Sequence, residues 1–366
     1  MAVQLEREAS YAIEEARDAL AEAITARHYE LFPELEQRFG QAGRAKCLQD
    51  AHYHLSYLSE AISSSLPSLF ADYVAWAKVM LESRGVPAAD LVRNLEVFRQ
   101  VLRERLPAGA GILAAQYVEA GLERLPQIPS ELPAEVADGG PHAGLARAYL
   151  DALLAGRRHE ASRLVLDAVE SGVSVQEVYL HVFQRCQREV GRLWQMNRLS
   201  VAQEHYCTAA TQLVMSQLYP RVFSGERNGR TLVATCVSGD LHEIGVRMVS
   251  DFFEMEGWDT YYVGANAPAE SVVRTVAERG ADVLAVSATI TSHVRALRNV
   301  ISAVRAEPAC RDVKILAGGY PFNLAPELWR EVGADASASD AASAVEAASR
   351  LAAGNGAGGA VEAGRS

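Results

Sequence analysis

The sequence predicts an all-helical N-terminal domain, then a four-helix bundle, then a doubly wound parallel α/β domain. Apolar residues recur at helical spacing through the first part of the chain. The last third instead alternates continuous apolar runs with helical stretches, which is typical of parallel sheets covered by helices. Residues 126–142 are rich in proline, glycine and acidic residues, and therefore predict an exposed linker between the first domain and the rest.

Residues 1–125 are expected to form about six helices, because no strand pattern interrupts them. Proline and glycine mark the breaks between these helices. The first apolar stripe consists of Leu5, Ala9, Ile13, Ala16, Leu20 and Ile24. The expected breaks lie near Pro33, Gly40, Pro67, Pro87 and Pro107.

Residues 143–225 are expected to form the bundle. Its four helices are predicted near residues 145–155, 158–171, 175–193 and 200–219. Ser200 is a suitable N-cap for the last of them, and Pro220 disfavours its continuation. Short loops between helices of this length are typical of a four-helix bundle.

Residues 226–353 are expected to form a flavodoxin/Rossmann-like sheet. Four apolar runs predict buried parallel strands at residues 231–237, 260–263, 282–287 and 313–318. Helices are predicted near residues 244–256, 269–279, 292–305 and 340–353. The Gly/Ala-rich residues 354–366 are expected to be a flexible tail, or a linker to a further domain.

Composition narrows the class of protein. The formal net charge of −11 argues against a dedicated DNA-binding surface, which normally carries a basic patch. No apolar stretch approaches the roughly 18 to 20 residues of a membrane span, and the N-terminus lacks a signal-peptide pattern. The cysteines show no CxxC pair, which fits a reducing compartment, so we expect a cytoplasmic protein. They are Cys47, Cys186, Cys207, Cys236 and Cys310.

The segment after the first predicted strand carries the strongest chemical signal. In open α/β sheets, ligands bind at the carboxyl ends of strands. Residues 238–245 lack GxGxxG and hold a single aspartate, which excludes a dinucleotide fingerprint and a receiver domain. They present His242 with Asp240 two residues earlier, and a metal-ligating histidine usually donates its other ring N–H to such a carboxylate. One protein ligand suits a metal already held by a macrocycle. The alternative is a histidine that only caps the next helix.

The hexapeptide from Asp240 to Gly245 resembles the DxHxxG motif of cobalamin-binding domains, which methionine synthase, the B12 mutases and B12 photoreceptors share. Further elements of that signature follow in order: the Gly264 loop, Ser287 with Thr289, and the pair Gly318-Gly319. The resemblance implies a bound cobalamin whose own dimethylbenzimidazole is replaced below the cobalt by His242.

The same resemblance implies a slot for the displaced nucleotide tail beside the sheet. Ser287 and Thr289 would supply small hydroxyls along it, and Gly318 and Gly319 would let the backbone approach the tail. One position departs from the pattern. Some relatives have a serine six residues after the slot serine, and this chain has His293 there, so we expect a different outer hydrogen bond.

The bundle carries a second motif, Trp194 followed after nine residues by Glu204-His205. Val201, Glu204 and His205 share one face of the predicted helix, where an acid and an imidazole are costly unless they face something polar. The alternative is a core tryptophan beside a solvated Glu-His pair. The motif resembles the cap of adenosylcobalamin-dependent photoreceptors of the CarH/LitR group. There the Trp covers the adenosyl group, and the Val and Glu positions contact it.

Two features depart from those photoreceptors. Gln195 stands where some members have a histidine that ligates cobalt after photolysis, so water, His205 or His181 would take that place. The N-terminal domain is also unlike a helix-turn-helix. Its architecture resembles the globin-like sensor modules of photocobilins, which pair B12 with biliverdin; the alternative is a dimerisation or docking module. The residues that could line a bilin pocket are His28, His52, His54 and Tyr57, with the thiol of Cys47 near it.

The leading hypothesis is therefore a signalling photoreceptor without enzymatic activity. Light would break the Co–C bond of adenosylcobalamin, the cap would move, and the assembly of a homo-oligomer would change, with a downstream effector protein as the expected partner. The alternative is a corrinoid protein of a methyltransferase system. A cobalamin-dependent adaptor without photochemistry is a third hypothesis. A mutase is disfavoured, since the chain has no room for a substrate barrel of roughly 250 residues.

Overall fold

The N-terminal part of the chain forms six helices, as the sequence predicts. The computed structural model describes residues 2–136, 139–223 and 226–356. The helices are α1 (Ala2–Glu15), α2 (Arg17–Leu31), α3 (Glu34–Ser63), α4 (Pro67–Glu82), α5 (Ala88–Arg105) and α6 (Ala108–Arg124). The predicted breaks at the four prolines fall between helices, whereas Gly40 makes a kink inside α3, at φ 60°. The first apolar stripe crosses a break at Ala16, which divides it between α1 and α2.

The described chain divides into two units. The first runs to Leu132 and also includes Gln195–Asn197. The second contains Pro133–Trp194 and the chain from Arg198 onward. The division at Leu132 lies within residues 126–142, where the sequence predicts a linker.

The predicted four-helix cap is present. Its helices are α7 (Ala143–Leu154), α8 (Arg158–Glu170), a third helix made of α9 (Val175–Val178), a π-helical turn (Tyr179–Phe183) and α10 (Gln184–Gln195), and α11 (Val201–Gln217). A short α12 (Tyr219–Val222) follows. The N-cap at Ser200 is confirmed, since its hydroxyl accepts from the N–H of Gln203, whose side chain in turn accepts from the N–H of Ser200.

The C-terminal part of the second unit is a five-stranded parallel sheet of order β2-β1-β3-β4-β5, as the doubly wound prediction requires. The strands are β1 (Thr231–Val237), β2 (Asp259–Ala267), β3 (Val283–Ser287), β4 (Lys314–Gly318) and β5 (Ala336–Ser337). The sequence does not predict β5, because two residues are too short for a recognisable apolar run.

Helices cover both faces of the sheet. They are α13 (Ile244–Met255), α14 (Ala269–Arg279), α15 (Val294–Ala306), α16 (Tyr320–Leu324), α17 (Leu328–Glu331) and α18 (Ala341–Gly356). Because α18 extends to Gly356, the first three residues of the predicted tail are helical; residues 357–366 lie outside the described residues. No helix in the described ranges is both long and apolar enough to cross a bilayer.

The strand order places a topological switch point between β1 and β3. The chain winds to one side from β1 to β2 and to the other side from β3 onward. The loops after β1 and β3 therefore diverge and leave a crevice at the carboxyl end of the sheet, which is where open α/β sheets bind ligands.

The cap and the sheet share one apolar cluster. Met248 and Phe252 of α13 are buried together with cap residues such as Val182 and Val214. A buried hydrogen bond adds to this contact: the hydroxyl of Tyr179, in the π-helical turn, donates to Asp251 Oδ2 at 2.8 Å. Burial raises the pKa of Asp251 to about 6, although the Tyr179 hydrogen bond and the charge of Arg247 oppose the shift.

Asp251 should make the stability of the fold fall as pH rises. Its pKa is higher in the folded chain than the ordinary value of 3.8, so its contribution is complete below pH 3.8 and lost as pH rises through about 6. Urea titrations across this window should show the wild type losing about 3 kcal/mol relative to Asp251→Asn. Asp259→Asn, at the exposed start of β2, is the matched control. A wild type–Asp251→Asn difference that is constant with pH would show that Asp251 does not titrate in this way.

Candidate functional site

His242 lies in the loop after β1, at the mouth of the crevice. Its Nδ1 is 2.7 Å from Asp240 Oδ1, and its backbone N–H donates to the same oxygen at 3.0 Å. A carboxylate only accepts hydrogen bonds, so in the neutral imidazole the proton lies on Nδ1 and Nε2 carries the lone pair. The His242 side chain is 58% exposed, so Nε2 is available to a ligand from outside.

Asp240 is completely buried and holds the two diverging loops together. Its Oδ1 accepts from His242, and its Oδ2 accepts from the backbone N–H of Thr289 in the loop after β3. Burial alone would raise the pKa of Asp240, but contacts with the His242 and His293 side chains and the Thr289 N–H hold it far below its ordinary value. Asp240 is therefore a permanent anion behind the His242 ring.

His293 takes part in this arrangement where some relatives have serine. Its Nδ1 lies 3.7 Å from Asp240 Oδ2, on the side away from His242 Nδ1. The predicted departure in the outer contact of Asp240 is thus present as a second imidazole.

Glu204 is the cap residue that interacts with the His242 loop electrostatically. The hydrogen bond from His242 to Asp240 raises the pKa of the imidazole; burial opposes the shift, and the charges of Asp240 and Glu204 add to it. The Glu204 carboxylate also accepts from the Thr208 hydroxyl at 2.9 Å. The upper wall of the site is therefore polar where α11 faces the loop.

The predicted slot residues are adjacent. Ser287 at the end of β3 pairs in register with Cys236 of β1 and with Gly318 of β4. Gly319 has φ 110°, and a Cβ there would lie 2.0 Å from the carbonyl oxygen of Ala288. Around Gly318, a Cβ would meet nothing within 4 Å. Gly319 is thus required by the close approach of two loops, whereas Gly318 borders open space.

The two other predicted glycines, Gly245 and Gly264, lie near the His242 loop, in α13 and in β2. Gly264 has φ 89°, and a Cβ there would lie 3.2 Å from the Glu243 carboxylate. Gly245 lies exposed in the first turn of α13, with free space around it. Close approach to protein explains Gly264, whereas open space surrounds Gly245.

The remaining residues of the cap motif differ in their surroundings. Trp194 is partly buried and packs against the apolar core of the cap. Val201 is 53% exposed. The His205 side chain is 73% exposed and lies 3.5 Å from Glu204 through Nε2. The alternative in the sequence analysis was a solvated Glu-His pair. It holds for His205, which is largely exposed, but not for Glu204, whose side chain is mostly buried.

Gln195, which stands where some photoreceptors have a ligating histidine, and His181, one of the alternative ligands, each have contacts of their own. Gln195 is buried and belongs to the first unit, where its Nε2 donates to the carbonyl oxygen of Trp76 at 3.0 Å. His181 lies in the π-helical turn, with its ring 6.1 Å from that of His142.

Several polar residues of the site have no counterpart in the sequence-based prediction. Gln187 Nε2 donates to Thr211 at 2.7 Å and extends the polar wall of Glu204 and Thr208. Glu243 contacts both the cap and β2. Glu243 could have been identified from the sequence, because it lies inside the DxHxxG hexapeptide. Gln187 belongs to no motif, so only the folded structure places it in the site.

The candidate bilin residues lie in the first unit. His28 and His54 are buried: His28 Nδ1 is 3.7 Å from Cys47 Sγ, and His54 Nδ1 is 2.8 Å from the Tyr73 hydroxyl. The Tyr57 ring stacks on the Tyr73 ring at 3.8 Å. His52 lies apart, half-exposed beside Asp18. Four of the five candidates therefore contribute to the interior of this unit, and their role toward a bilin stays a prediction.

Comparison with known proteins matches both parts of the second unit. The family described as "B12 binding domain" matches residues 230–349, and a second family of the same description matches residues 145–219. "Dimethylamine corrinoid protein 1" of Methanosarcina acetivorans is 30% identical over 44% of this chain and 76% of its own length. "Dimethylamine corrinoid protein 3" of the same organism is 27% identical over 57% of this chain and 97% of its own.

A solved structure supports the fold. The monomethylamine corrinoid protein of Methanosarcina barkeri superposes with a TM-score of 0.52 at 22% identity, and the match covers 58% of this chain and all of that one. At this identity the likeness establishes a shared fold.

Replacement by alanine should lower the free energy of unfolding strongly at Gly319 and only slightly at Gly318. Gly319→Ala forces a Cβ against the Ala288 carbonyl at an unfavourable φ, and should lower the free energy of unfolding by about 3 kcal/mol. Gly318→Ala adds a methyl group to open space and should stay within about 1 kcal/mol of the wild type. Urea unfolding of both variants checks this. Equal losses of unfolding free energy would show that the close approach of Gly319 to Ala288 does not require glycine at this position.

Proposed function

Because this chain belongs to the family of corrinoid proteins that carry the B12 binding domain, we propose that it is a methyl-carrying corrinoid protein of a methyltransferase system, with His242 as its lower cobalt ligand. The observation that carries the cobalt-binding part of the proposal is the His242–Asp240 pair, and the relatives carry the choice of a methyltransferase system. Its 2.7 Å contact fixes the ring and leaves Nε2 free at the mouth of the crevice.

The site fits a cobalamin. An exposed imidazole backed by a buried carboxylate is the donor set expected for a single protein ligand to a metal. Leu241 and Val201 are 72% and 53% exposed. An apolar macrocycle between the loop and the cap would remove these side chains from water, which is energetically favourable. Gln187, Thr208 and Glu204 offer hydrogen-bond partners for the amides on a corrin rim. The open space at Gly318 is where the family resemblance puts the nucleotide tail.

A bound cobalamin would supply a cobalt that accepts a methyl group and passes it on. Asp240 keeps the proton of His242 on Nδ1, so that Nε2 remains a ligand, and its charge makes the imidazole a stronger donor. Thr289 holds Asp240 in place through its backbone N–H. With a cobalamin bound between the loop and the cap, α11 would lie on the side of the ligand opposite His242. A partner enzyme would therefore need the cap displaced.

The relatives support the methyl carrier over the light sensor that the sequence suggested first. Both named relatives are dimethylamine corrinoid proteins. The methyltransferase alternative therefore becomes the main proposal, and the methyl donor is left to experiment.

Replacing His242 should remove the lower ligand without unfolding the sheet. We expect His242→Ala, reconstituted with methylcobalamin, to lose the absorption spectrum of imidazole-ligated cobalt and to bind about 10- to 100-fold more weakly. His159→Ala, at an exposed histidine on α8, is the matched control. If the bound spectrum is identical in His242→Ala and the wild type, His242 is not the ligand.

Methyl transfer itself has a direct test. Protein reconstituted with methylcobalamin, mixed with a thiol and a corrinoid-dependent methyltransferase, should turn over methyl groups faster than free methylcobalamin. Gly318→Ala, which spares stability, should weaken cobalamin binding if the tail occupies that space. Failure of the loaded wild type to transfer methyl groups to any acceptor, together with a light-dependent change, would reverse the order of the two candidate functions.

A light-responsive signalling protein remains the second candidate. The specific observation in its favour is the arrangement of the Trp194–Glu204–His205 motif: Trp194 packs against the core of the cap, and the Thr208 hydroxyl holds Glu204 on α11 at 2.9 Å. In darkness with adenosylcobalamin, illumination should then change both the visible spectrum and the size of the assembly. A Trp194→Ala variant should retain cobalamin but lose selectivity for the adenosyl form. Biliverdin binding by the first unit and an effector partner belong to this second candidate. Biliverdin binding has its own test: the absorption spectrum of biliverdin should shift when it is mixed with the protein.

A further inference from the structure

Glu243, the residue next to His242, uses both of its carboxylate oxygens in contacts with different parts of the second unit. Oε1 accepts from Nε2 of Gln212, on the cap helix α11, at 2.8 Å. Oε2 accepts from the Tyr262 hydroxyl at 2.9 Å and from the backbone N–H of Ala265 at 3.2 Å, both in β2. One side chain thus joins the cap, the edge strand and the loop of the lower ligand.

We propose that Glu243 is a positioning residue that couples the placement of the cap to the ligation of cobalt by His242. The inference rests on the proposed function, because it concerns the same site. Residues 240–243 are held at both ends: Asp240 is bonded to the Thr289 N–H, and Glu243 to β2 and the cap. Between these anchors the His242 ring has little freedom to leave its position. When the cap is displaced, the Gln212 contact breaks and one of the anchors loosens.

The contact is separable from the rest of the cap interface. Arg247 of α13 holds the C-terminal end of α11 through the Ser216 hydroxyl at 2.8 Å, and contacts the Tyr219 hydroxyl at 3.1 Å. Loss of the Gln212 side chain therefore removes the contact of Glu243 with the cap, while Glu243 stays bonded to β2 and α11 stays attached. Coupling between two sites is reciprocal, so a cap that favours His242 ligation is itself favoured by that ligation to the same factor.

The first test uses the protein without cobalamin. Gln212→Leu has nearly the same shape but no donor, and hydrogen exchange at residues 239–244 should become about tenfold faster in it. Gln217→Leu is the matched control on the same helix, because Gln217 bonds to Ser162 within the cap. Gln212→Lys restores a donor toward the carboxylate and should return exchange toward the wild-type rate. Unchanged exchange at residues 239–244 in Gln212→Leu overturns the coupling.

The second test uses aquacobalamin as the probe. The fraction of bound corrinoid with the imidazole-ligated spectrum should fall in Gln212→Leu and in Tyr262→Phe, with Gln212→Lys near the wild type. An imidazole-ligated fraction equal to the wild type in both variants contradicts the proposal. If wild-type protein fails to transfer methyl groups, the proposed function falls, but the exchange result still decides whether Glu243 links the cap to the loop.

Discussion

The second unit depends on one buried anion, Asp240, whose two oxygens join the loop after β1 to the loop after β3. A completely buried carboxylate is costly unless it is hydrogen-bonded, and here the contacts come from the groups that must be positioned: the His242 ring, the Thr289 N–H and, at 3.7 Å, His293. The same bonds that make its burial tolerable give His242 one orientation. Removing Asp240 would leave the histidine without a fixed tautomer and would remove the carboxylate that bonds to both loops.

The crevice around this anion results from the order of the strands. β1 lies at the point where the sheet changes winding direction, so its loop parts from that of β3, and Asp240 spans the gap. At Gly319 the loop after β4 comes into backbone contact with Ala288 in the loop after β3, and beside Gly318 there is open space. A site of this form holds an elongated ligand along the strand ends, with one metal-binding nitrogen at its mouth. The cap supplies the opposite wall, where Glu204, Thr208 and Gln187 are linked by hydrogen bonds.

A methyl carrier and a light sensor place different demands on that wall. A carrier must open its cap to partner enzymes and close it between encounters, whereas a sensor must convert the loss of a large upper group into a lasting change. The hydrogen bonds between α11 and the sheet domain are few: Gln212 donates one to Glu243, and Arg247 of α13 donates to the Gln212 carbonyl oxygen and the Ser216 hydroxyl. The shared apolar cluster around Phe252 meanwhile keeps the cap on the same unit. His242 itself is compatible with both functions, which is why the relatives decided their order.

The sequence alone determined the order of elements and the His242 motif, because helix and strand periodicity and a short loop motif are local properties. It predicted the number of N-terminal helices, the capped α11 and four of the five strands, but it missed the break at Ala16 and predicted one at Gly40 where α3 only kinks. It also missed β5, because a two-residue strand has no apolar periodicity. Ser287 and Gly318 were named from motifs, but their adjacency required the register of β3 and β4. Only the tertiary structure brought His293 to Asp240 and Gln212 to Glu243, since contacts between residues about 30 to 50 apart depend on how helices and strands pack.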